Sequence, residues 1–188
     1  MKKLLILGGS GFVGNSIIDF AIDKKLIKDN IDQIYILSRT NKSNKNRYKH
    51  IEINYICKNI LDTKKIPEVD YIIYCLKSFN IKTSNKYFNQ FLKLLKTLKK
   101  KPKILFTSSG VVYGKDNTKR KYNEKKAIKI SSINQHNGYK KKYSKEKIFL
   151  EKKFQLLGIK NYMVSIARCY TFIGKDIVNY NYAISDLI

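Results

Sequence analysis

The 188-residue sequence predicts a three-layer α/β protein, in which a parallel β-sheet has helices on both faces. Short apolar runs alternate with longer segments of helical periodicity, and a glycine-rich turn joins the first run to the first helix. The run Asp70–Leu76 is almost continuously apolar, which is typical of a central strand in a parallel sheet. The chain is long enough for one domain with a sizeable core.

The predicted elements follow from these patterns in chain order. The expected strands are Lys3–Leu7, Gln33–Leu37, Glu52–Ile56, Asp70–Leu76, Lys103–Thr107 and Tyr162–Ala167. The expected helices are Phe12–Lys25, Ser84–Lys100 and Gly138–Leu157. Pro102 and Gly158 are expected to end the second and third helices. The polar, lysine-rich stretch 115–137 has little periodicity, so it predicts an inserted or mobile loop within a domain of residues 1–170.

The net charge of +25 suggests an anionic partner, and nucleic acid is one candidate. Of the 39 basic residues only four are Arg, whereas specific recognition of bases and phosphates favours Arg. Lys, Asn, Ile and Tyr are all frequent and share A/T-rich codons, so the charge reflects genome composition. We therefore expect no specific nucleic-acid partner, although anionic ligands should be attracted.

Localisation and redox state follow from the apolar runs and the cysteines. No apolar run is long enough to span a bilayer, and the first is shorter than the core of a signal peptide. A cytoplasmic protein without membrane association is therefore expected. The three cysteines are widely spaced and form no metal-binding pattern, so reduced and mostly buried thiols are expected, and no metal site.

The glycine-rich turn is the first functional motif. Gly8, Gly11 and Gly14 follow a strand and open a helix, the arrangement that binds a diphosphate in Rossmann folds. Free N–H groups and the positive helix end favour an anion there. An ordinary strand–helix turn is the alternative. The residues expected to hold a nicotinamide dinucleotide here are Gly8, Gly9, Ser10, Gly11, Phe12, Val13 and Gly14.

The end of the second strand should distinguish NADP from NAD. An acidic residue there would accept hydrogen bonds from a ribose 2′-hydroxyl. The sequence has Ser38 and Arg39 instead, with more cations after them, and Arg39 would suit a 2′-phosphate. We therefore expect NADP to be preferred over NAD; a solvated Arg39 is the alternative.

Three further motifs occur in a familiar order. Residues 107–114 read Thr-Ser-Ser-Gly-Val-Val-Tyr-Gly, Tyr143 is followed by Lys147, and 166–174 read Ile-Ala-Arg-Cys-Tyr-Thr-Phe-Ile-Gly. With the glycine spacing, they resemble the extended branch of the short-chain dehydrogenase/reductase superfamily, the nucleotide-sugar epimerases and dehydratases. The resemblance covers essentially the whole chain. It implies an NAD(P)-dependent enzyme that binds a nucleotide-sugar.

The chemistry of proton transfer assigns the candidate catalytic residues. A tyrosine hydroxyl has a pKa near 10, so Tyr143 needs its anion stabilised before it can exchange a proton at neutral pH. Lys147 lies one helical turn on and would supply the positive charge. Ser109 would hydrogen-bond the substrate oxygen. The resemblance adds Ser108 and the helix residue Asn89 as supporting residues.

The resemblance also assigns cofactor positions outside the glycine turn. Asn59 stands where relatives often have an acid that contacts adenine, and Ile60 follows it. Leu76 and Lys77 replace the small residues usual after the fourth strand, at a position that faces the cofactor in relatives. Lys147 would also hold the nicotinamide ribose.

Relatives carry a C-terminal substrate domain, and residues 171–188 resemble only its beginning. The resemblance also implies a homodimer formed through the helices at 84–100 and 138–157. Two functions therefore remain: an oxidoreductase acting on a nucleotide-sugar as epimerase, dehydratase or 4-ketoreductase, or a dinucleotide-binding protein or partner subunit that is catalytically incomplete. A nucleic-acid-binding protein is a third alternative.

Overall fold

The structure, a computed structural model, describes residues 2–23, 31–40, 52–114, 124 and 137–170. The strands are β1 (Lys3–Leu7), β2 (Gln33–Ser38), β3 (Glu52–Cys57), β4 (Tyr71–Tyr74), β5 (Lys103–Ser109) and β6 (Val164–Cys169). The α-helices are α1 (Phe12–Asp23), α2 (Ile81–Leu95) and α3 (Gly138–Ile159). Two short 3₁₀ helices are η1 (Ile60–Asp62) and η2 (Gly110–Tyr113).

All six strands pair in parallel in the order β3-β2-β1-β4-β5-β6. The chain winds outwards from β1 to β3, returns to β4 on the other side of β1, and continues to β6. The strand order therefore reverses between β1 and β4, where ligands bind in open α/β sheets. This arrangement confirms the predicted Rossmann-type fold and the central place of the fourth strand.

The sheet separates two apolar cores of unequal size. The larger core holds α2 and α3 against one face, and Tyr74, Phe91, Phe106 and Phe154 are fully buried in it. The rings of Phe106 and Phe154 stack with centroids 4.5 Å apart, which fixes α3 over β5. The smaller core lies under α1, where Ile18 contacts strand residues. The third helix is thereby held beside the carboxyl ends of β4 and β5.

Several predicted boundaries are corrected by local hydrogen bonds. The second helix starts at Ile81, because the Asn80 side chain accepts the Thr83 amide N–H at 3.2 Å, and it ends at Leu95, well before Pro102. The third helix continues through Gly158 to Ile159, and Asn161 supplies the left-handed backbone (φ 64°) expected of Gly158. Strand β4 is shorter than predicted and β5 is longer.

Other predictions have mixed outcomes. The three cysteines are free: Cys57 is exposed, contrary to the expectation of a buried thiol, whereas Cys75 and Cys169 are partly buried and desolvation raises the pKa of both thiols. Within the described residues, no helix has the length and apolarity to cross a membrane. The lysine-rich loop lies outside the described residues except Glu124 and Asn137, as does 171–188, and the domain division stays a prediction.

Candidate functional site

The glycine turn joins β1 to α1 as a close-packed bend. Gly8 has φ 83°, a conformation that favours glycine, and its carbonyl accepts the Gly11 N–H at 3.1 Å. A Cβ on Gly14 would lie 2.5 Å from the Cα of Gly9, so only glycine lets α1 approach the strand end this closely. Gly11 is exposed at the tip of the turn. Gly8 thus allows the tight bend after β1, and Gly14 allows the close packing of α1 against that bend.

An open groove of about 670 Å³ runs from the glycine turn across the ends of β2 and β3, a volume in the range of cofactor sites. Among the residues that line it are the predicted Gly8, Ser10, Gly11, Ser38, Arg39, Asn59, Ile60 and Leu76. Gly9 is buried beneath the turn, where a Cβ would lie 2.6 Å from Cγ2 of Ile36. The structure thus collects at one edge of the sheet residues that are far apart in sequence.

Several polar side chains lie at the end of the groove away from the glycine turn, where β2 and β3 end. Ser38 is buried, and its hydroxyl donates to the Thr40 carbonyl at 2.6 Å, whereas Arg39 is exposed. The Asn59 side chain accepts the Leu61 N–H at 3.1 Å and so caps η1. Lys58, which sequence reasoning missed, also lines the groove. Since β2 and β3 pair Ser38 with Cys57, Arg39 and Lys58 follow neighbouring strand ends.

A smaller pocket of about 70 Å³ adjoins the glycine turn on the side of α3. It is lined by Gly8, Gly11, Phe12, Val13, Gly14, Cys75, Lys77, Thr107, Ser108, Tyr143 and Lys147. The predicted tyrosine and lysine therefore face the same small space as the glycine turn. Gly8, Gly11, Cys75 and Lys77 line both cavities, so the two adjoin each other at the glycine turn and the end of β4.

Lys147 is 3% exposed, and its Nζ donates to the Thr107 carbonyl at 2.7 Å. Desolvation lowers the pKa of this ammonium group to about 8, although the nearby Glu146 carboxylate opposes the shift. The Nζ atom also lies 5.5 Å from the centroid of the Tyr143 ring. Lys147 thus brings a positive charge close to the tyrosine, as the one-turn spacing predicts.

Two predicted residues lie apart from this pocket. Ser109 ends β5, and its Oγ accepts the Val111 N–H at 3.4 Å, but the residue lines neither cavity. Asn89 is exposed on α2 and lines neither cavity. One turn earlier on α2, Asn85 has a buried Oδ1 atom that lacks a hydrogen-bond partner within the described residues. The predicted Asn89 therefore lies one helical turn from Asn85, the partly buried asparagine of α2.

A buried polar network lies beneath the pocket. Ser108 donates its hydroxyl to Oε1 of Glu151 at 2.5 Å, and Arg168 forms an ion pair with Oε2 of the same carboxylate at 2.8 Å. Arg168 also donates to the Tyr113 hydroxyl at 2.8 Å, and these two hydrogen-bond partners raise its pKa. The Ser108 hydroxyl is thus engaged by Glu151, in a hydrogen bond that joins β5 to α3.

A second buried carboxylate, Glu146, was missed by sequence reasoning. It is 0% exposed, and its two oxygens accept the amide N–H groups of Ser78 and Phe79, each at 2.8 Å, and the hydroxyl of Ser84. The Phe79 ring lies 5.8 Å from the Tyr143 ring. Glu146 therefore links the turn after β4 to α3, beside Tyr143 and Lys147. The sequence position of Glu146, between Tyr143 and Lys147, is the feature that could have indicated a role near the site.

The strand order, the glycine turn and the Tyr–Lys pair define a Rossmann-type protein of the dinucleotide-binding class. The model of the NAD dependent epimerase/dehydratase family matches residues 4–182, and the chain belongs to this family. The predicted resemblance is thereby confirmed. No curated protein sequence matches the chain.

Solved structures share the fold at low sequence identity. One is dTDP-glucose 4,6-dehydratase from Bacillus anthracis in complex with NAD, at 15% identity and a TM-score of 0.65, covering 93% of this chain and 56% of that one. Another is vestitone reductase from alfalfa, at 13% identity and a TM-score of 0.67, covering 88% and 56%. A third is glucuronic acid dehydrogenase from Chromohalobacter salexigens, at 17% identity and a TM-score of 0.57, covering 88% and 58%. The chain spans a little over half the length of these structures.

Proposed function

We propose that this protein binds a nicotinamide dinucleotide and serves as the cofactor domain of an oxidoreductase acting on a nucleotide-sugar. The observation that carries the proposal is the place of the glycine turn, which lines both the groove and the smaller pocket that holds Tyr143 and Lys147. A ligand that occupied both adjoining cavities would extend from the end of β2 to the catalytic pair. The glycine turn would hold the diphosphate on the N–H groups at the start of α1.

The charge at the end of β2 supports a preference for NADP. Arg39 and Lys58 both line the groove, and no Asp or Glu lines it within the described residues. A 2′-phosphate would therefore meet two cations and no carboxylate, whereas a 2′-hydroxyl would find no acidic acceptor there. NAD remains the alternative cofactor, and the complex of the B. anthracis dehydratase with NAD is its precedent in a protein of similar fold.

The catalytic pair supports proton transfer at the Tyr143 hydroxyl. The positive charge of Lys147 favours the phenolate, so Tyr143 can take a proton from a substrate hydroxyl or return it to a carbonyl. When bound, the nicotinamide supplies hydride transfer at the same substrate carbon. Thr107 fixes Lys147 through its carbonyl, and the Ser108–Glu151 hydrogen bond fixes the strand end next to it.

A nucleotide-sugar is proposed as the substrate because of the family and because of the motifs around Ser109 and Tyr143. An epimerase, a 4,6-dehydratase and a 4-ketoreductase would each use hydride exchange at a sugar carbon. Reductases of other substrates share the fold as well, and vestitone reductase is an example. The fold therefore supports the type of chemistry, and turnover assays must select the substrate.

A catalytically incomplete dinucleotide-binding protein is the second candidate. The position of Ser109, outside the pocket that holds Tyr143 and Lys147, favours it. Such a protein would bind the cofactor with full affinity and show no turnover alone. It would serve as a sensor or as a partner subunit.

The first experiment is a titration of the purified chain with NADPH and NADH, followed by nicotinamide fluorescence. Gly11→Asp should abolish binding, because it introduces a carboxylate at the tip of the turn that holds the diphosphate. Arg39→Ala should weaken the affinity for NADPH by roughly tenfold and leave the affinity for NADH nearly unchanged, since one charge-assisted contact contributes about 1–2 kcal/mol. Lys82→Ala is the control, because Lys82 is exposed on α2 and lines neither cavity.

The outcomes separate the candidates. If neither cofactor binds to a folded chain, the dinucleotide proposal is wrong. Binding with turnover of dTDP-glucose or a related nucleotide-sugar that Tyr143→Phe abolishes would support the oxidoreductase. Binding without turnover would favour the incomplete protein. Tight binding of DNA or RNA with a steep salt dependence, and no cofactor binding, would support the nucleic-acid alternative.

A further inference from the structure

Lys77 lies at the junction of the groove and the smaller pocket. Gly8, Gly11, Cys75 and Lys77 line both cavities, and Lys77 is the charged member of this set. Lys77 and the glycine turn therefore face the same two cavities, so a ligand that occupies both cavities would lie against both.

The backbone beside Lys77 is held firmly. The next two residues, Ser78 and Phe79, donate their amide N–H groups to Glu146 of α3, each at 2.8 Å. Phe79 has φ 56°, a left-handed conformation that a non-glycine residue adopts only when its surroundings impose it. The Lys77 side chain therefore projects from a turn whose position is fixed relative to the catalytic helix.

The Lys77 side chain lies along the cavity wall. Its Nζ atom is 5.0 Å from the centroid of the Phe79 ring, within cation–π range. Lys77 is exposed as a whole residue, although partial burial of its ammonium group lowers its pKa, while the Glu146 carboxylate raises it. The ammonium group therefore stays accessible to an anion that enters either cavity.

The charges around the junction do not balance. Lys77 and Lys147 both line the smaller pocket, and Lys77 is close enough to lower the pKa of Lys147. Glu146 is the neighbouring carboxylate, and its oxygens are already engaged by two amides and two serine hydroxyls. Two ammonium groups and one carboxylate therefore surround this space, and their net positive charge favours an anionic ligand.

We propose that Lys77 binds the diphosphate of the dinucleotide from the end of β4, in addition to the amide groups of the glycine turn. This inference rests on the proposed dinucleotide function. It assigns a binding role to a lysine at a position where small residues are usual in relatives. The consequence is a diphosphate site that combines a side-chain cation with the N–H donors of the backbone.

The test compares ADP-ribose, AMP and adenosine by isothermal titration calorimetry on the full chain, with Lys77→Met, Lys77→Arg and the control Lys82→Met. These probes share the adenosine group and differ in their phosphates, so a diphosphate contact separates them. We expect Lys77→Met to weaken the binding of ADP-ribose roughly tenfold and to leave the binding of adenosine unchanged. Lys77→Arg should stay within about threefold of wild type, and Lys82→Met should have no effect.

Salt dependence provides a second readout that a change in pocket shape would not produce. Removing one phosphate-neutralising cation should make the affinity of ADP-ribose less sensitive to salt in Lys77→Met than in wild type. An unchanged affinity for ADP-ribose, or an equal loss for adenosine and ADP-ribose, would overturn the assignment of Lys77. If folded wild-type protein fails to bind ADP-ribose at all, the dinucleotide proposal fails and the assignment fails with it.

Discussion

Lys147 shows how burial determines the charge of one residue. Its pKa is lowered to about 8, mainly because the ammonium group is desolvated in the folded protein. The unfolded chain therefore binds this proton more tightly than the folded chain does. Between pH 8 and about 10.5, folding releases the proton, so the contribution of Lys147 to stability rises with pH. Below pH 8 both states are protonated, and the cost of burying the charge is fully present.

This argument predicts a pH-dependent difference between wild type and Lys147→Met. From pH 7 to pH 10, the free energy of unfolding of wild type should rise relative to that of the variant by on the order of 2 kcal/mol. Urea unfolding of both proteins at the two pH values measures the change, and groups common to both proteins cancel. A difference that stays constant over this range would contradict the lowered pKa.

Individual site residues were predictable where a local rule applies. The glycines at 8, 11 and 14 follow from a backbone bend, and the Tyr143–Lys147 pair follows from helical spacing. Glu146 was not predictable, because its partners, Ser78 and Phe79, are about 67 residues away and only the folded chain brings them together. Asn85, whose side-chain oxygen is buried, lies one helical turn before the predicted Asn89. Helical periodicity alone does not distinguish these two asparagines.

At the scale of elements, two glycines differ in how closely the surrounding backbone and side chains pack against them. Gly14 lies where α1 meets the turn after β1, and an added Cβ would meet backbone atoms at 2.5 Å and 2.9 Å. Gly158 lies within α3, and an added Cβ would be 4.0 Å from the Val164 side chain, an ordinary contact. The same substitution should therefore have opposite effects at the two positions.

We expect Gly14→Ala to lower the free energy of unfolding by at least about 2 kcal/mol, since backbone atoms must move. Gly158→Ala should raise it by roughly 0.5–1 kcal/mol, because alanine favours the helix and restricts the unfolded chain. Chemical denaturation monitored by circular dichroism measures both. Equal destabilisation by the two substitutions would contradict the packing described for the glycine turn.

Element types were predictable from periodicity, whereas their ends depended on side chains. The six strands and three helices appear where alternation and helical spacing place them. The start of α2 depends on the Asn80 cap, and its end precedes Pro102 by several residues. Strand β5 extends to Ser109 because β6 pairs with it along that length, a long-range contact that no local pattern contains.

At the scale of the whole molecule, the lysine-rich surface bears on self-association. The outward faces of α2 and α3, the helices expected to form a homodimer, carry exposed lysines. These are Lys82, Lys86 and Lys93 on α2, and Lys140, Lys142, Lys145 and Lys152 on α3. Two copies joined through these faces would bring like charges together, which opposes association at low ionic strength.

Any homodimer formed through α2 and α3 should therefore strengthen with salt. We expect sedimentation velocity at micromolar protein to show more monomer at 50 mM salt than at 500 mM salt. Replacing Lys86 and Lys93 with Glu on one copy should allow association with a wild-type copy at low salt. A dimer that weakens as salt increases would show that a different surface mediates it.

The Glu146 contact with the turn after β4 also affects how that turn exchanges its amide hydrogens with solvent. The N–H groups of Ser78 and Phe79 donate to a helix side chain and belong to no strand or helix ladder. Their exchange requires α3 to separate locally from the end of β4. These two loop amides would therefore exchange as slowly as core amides, and their rates would report how often α3 separates from the sheet.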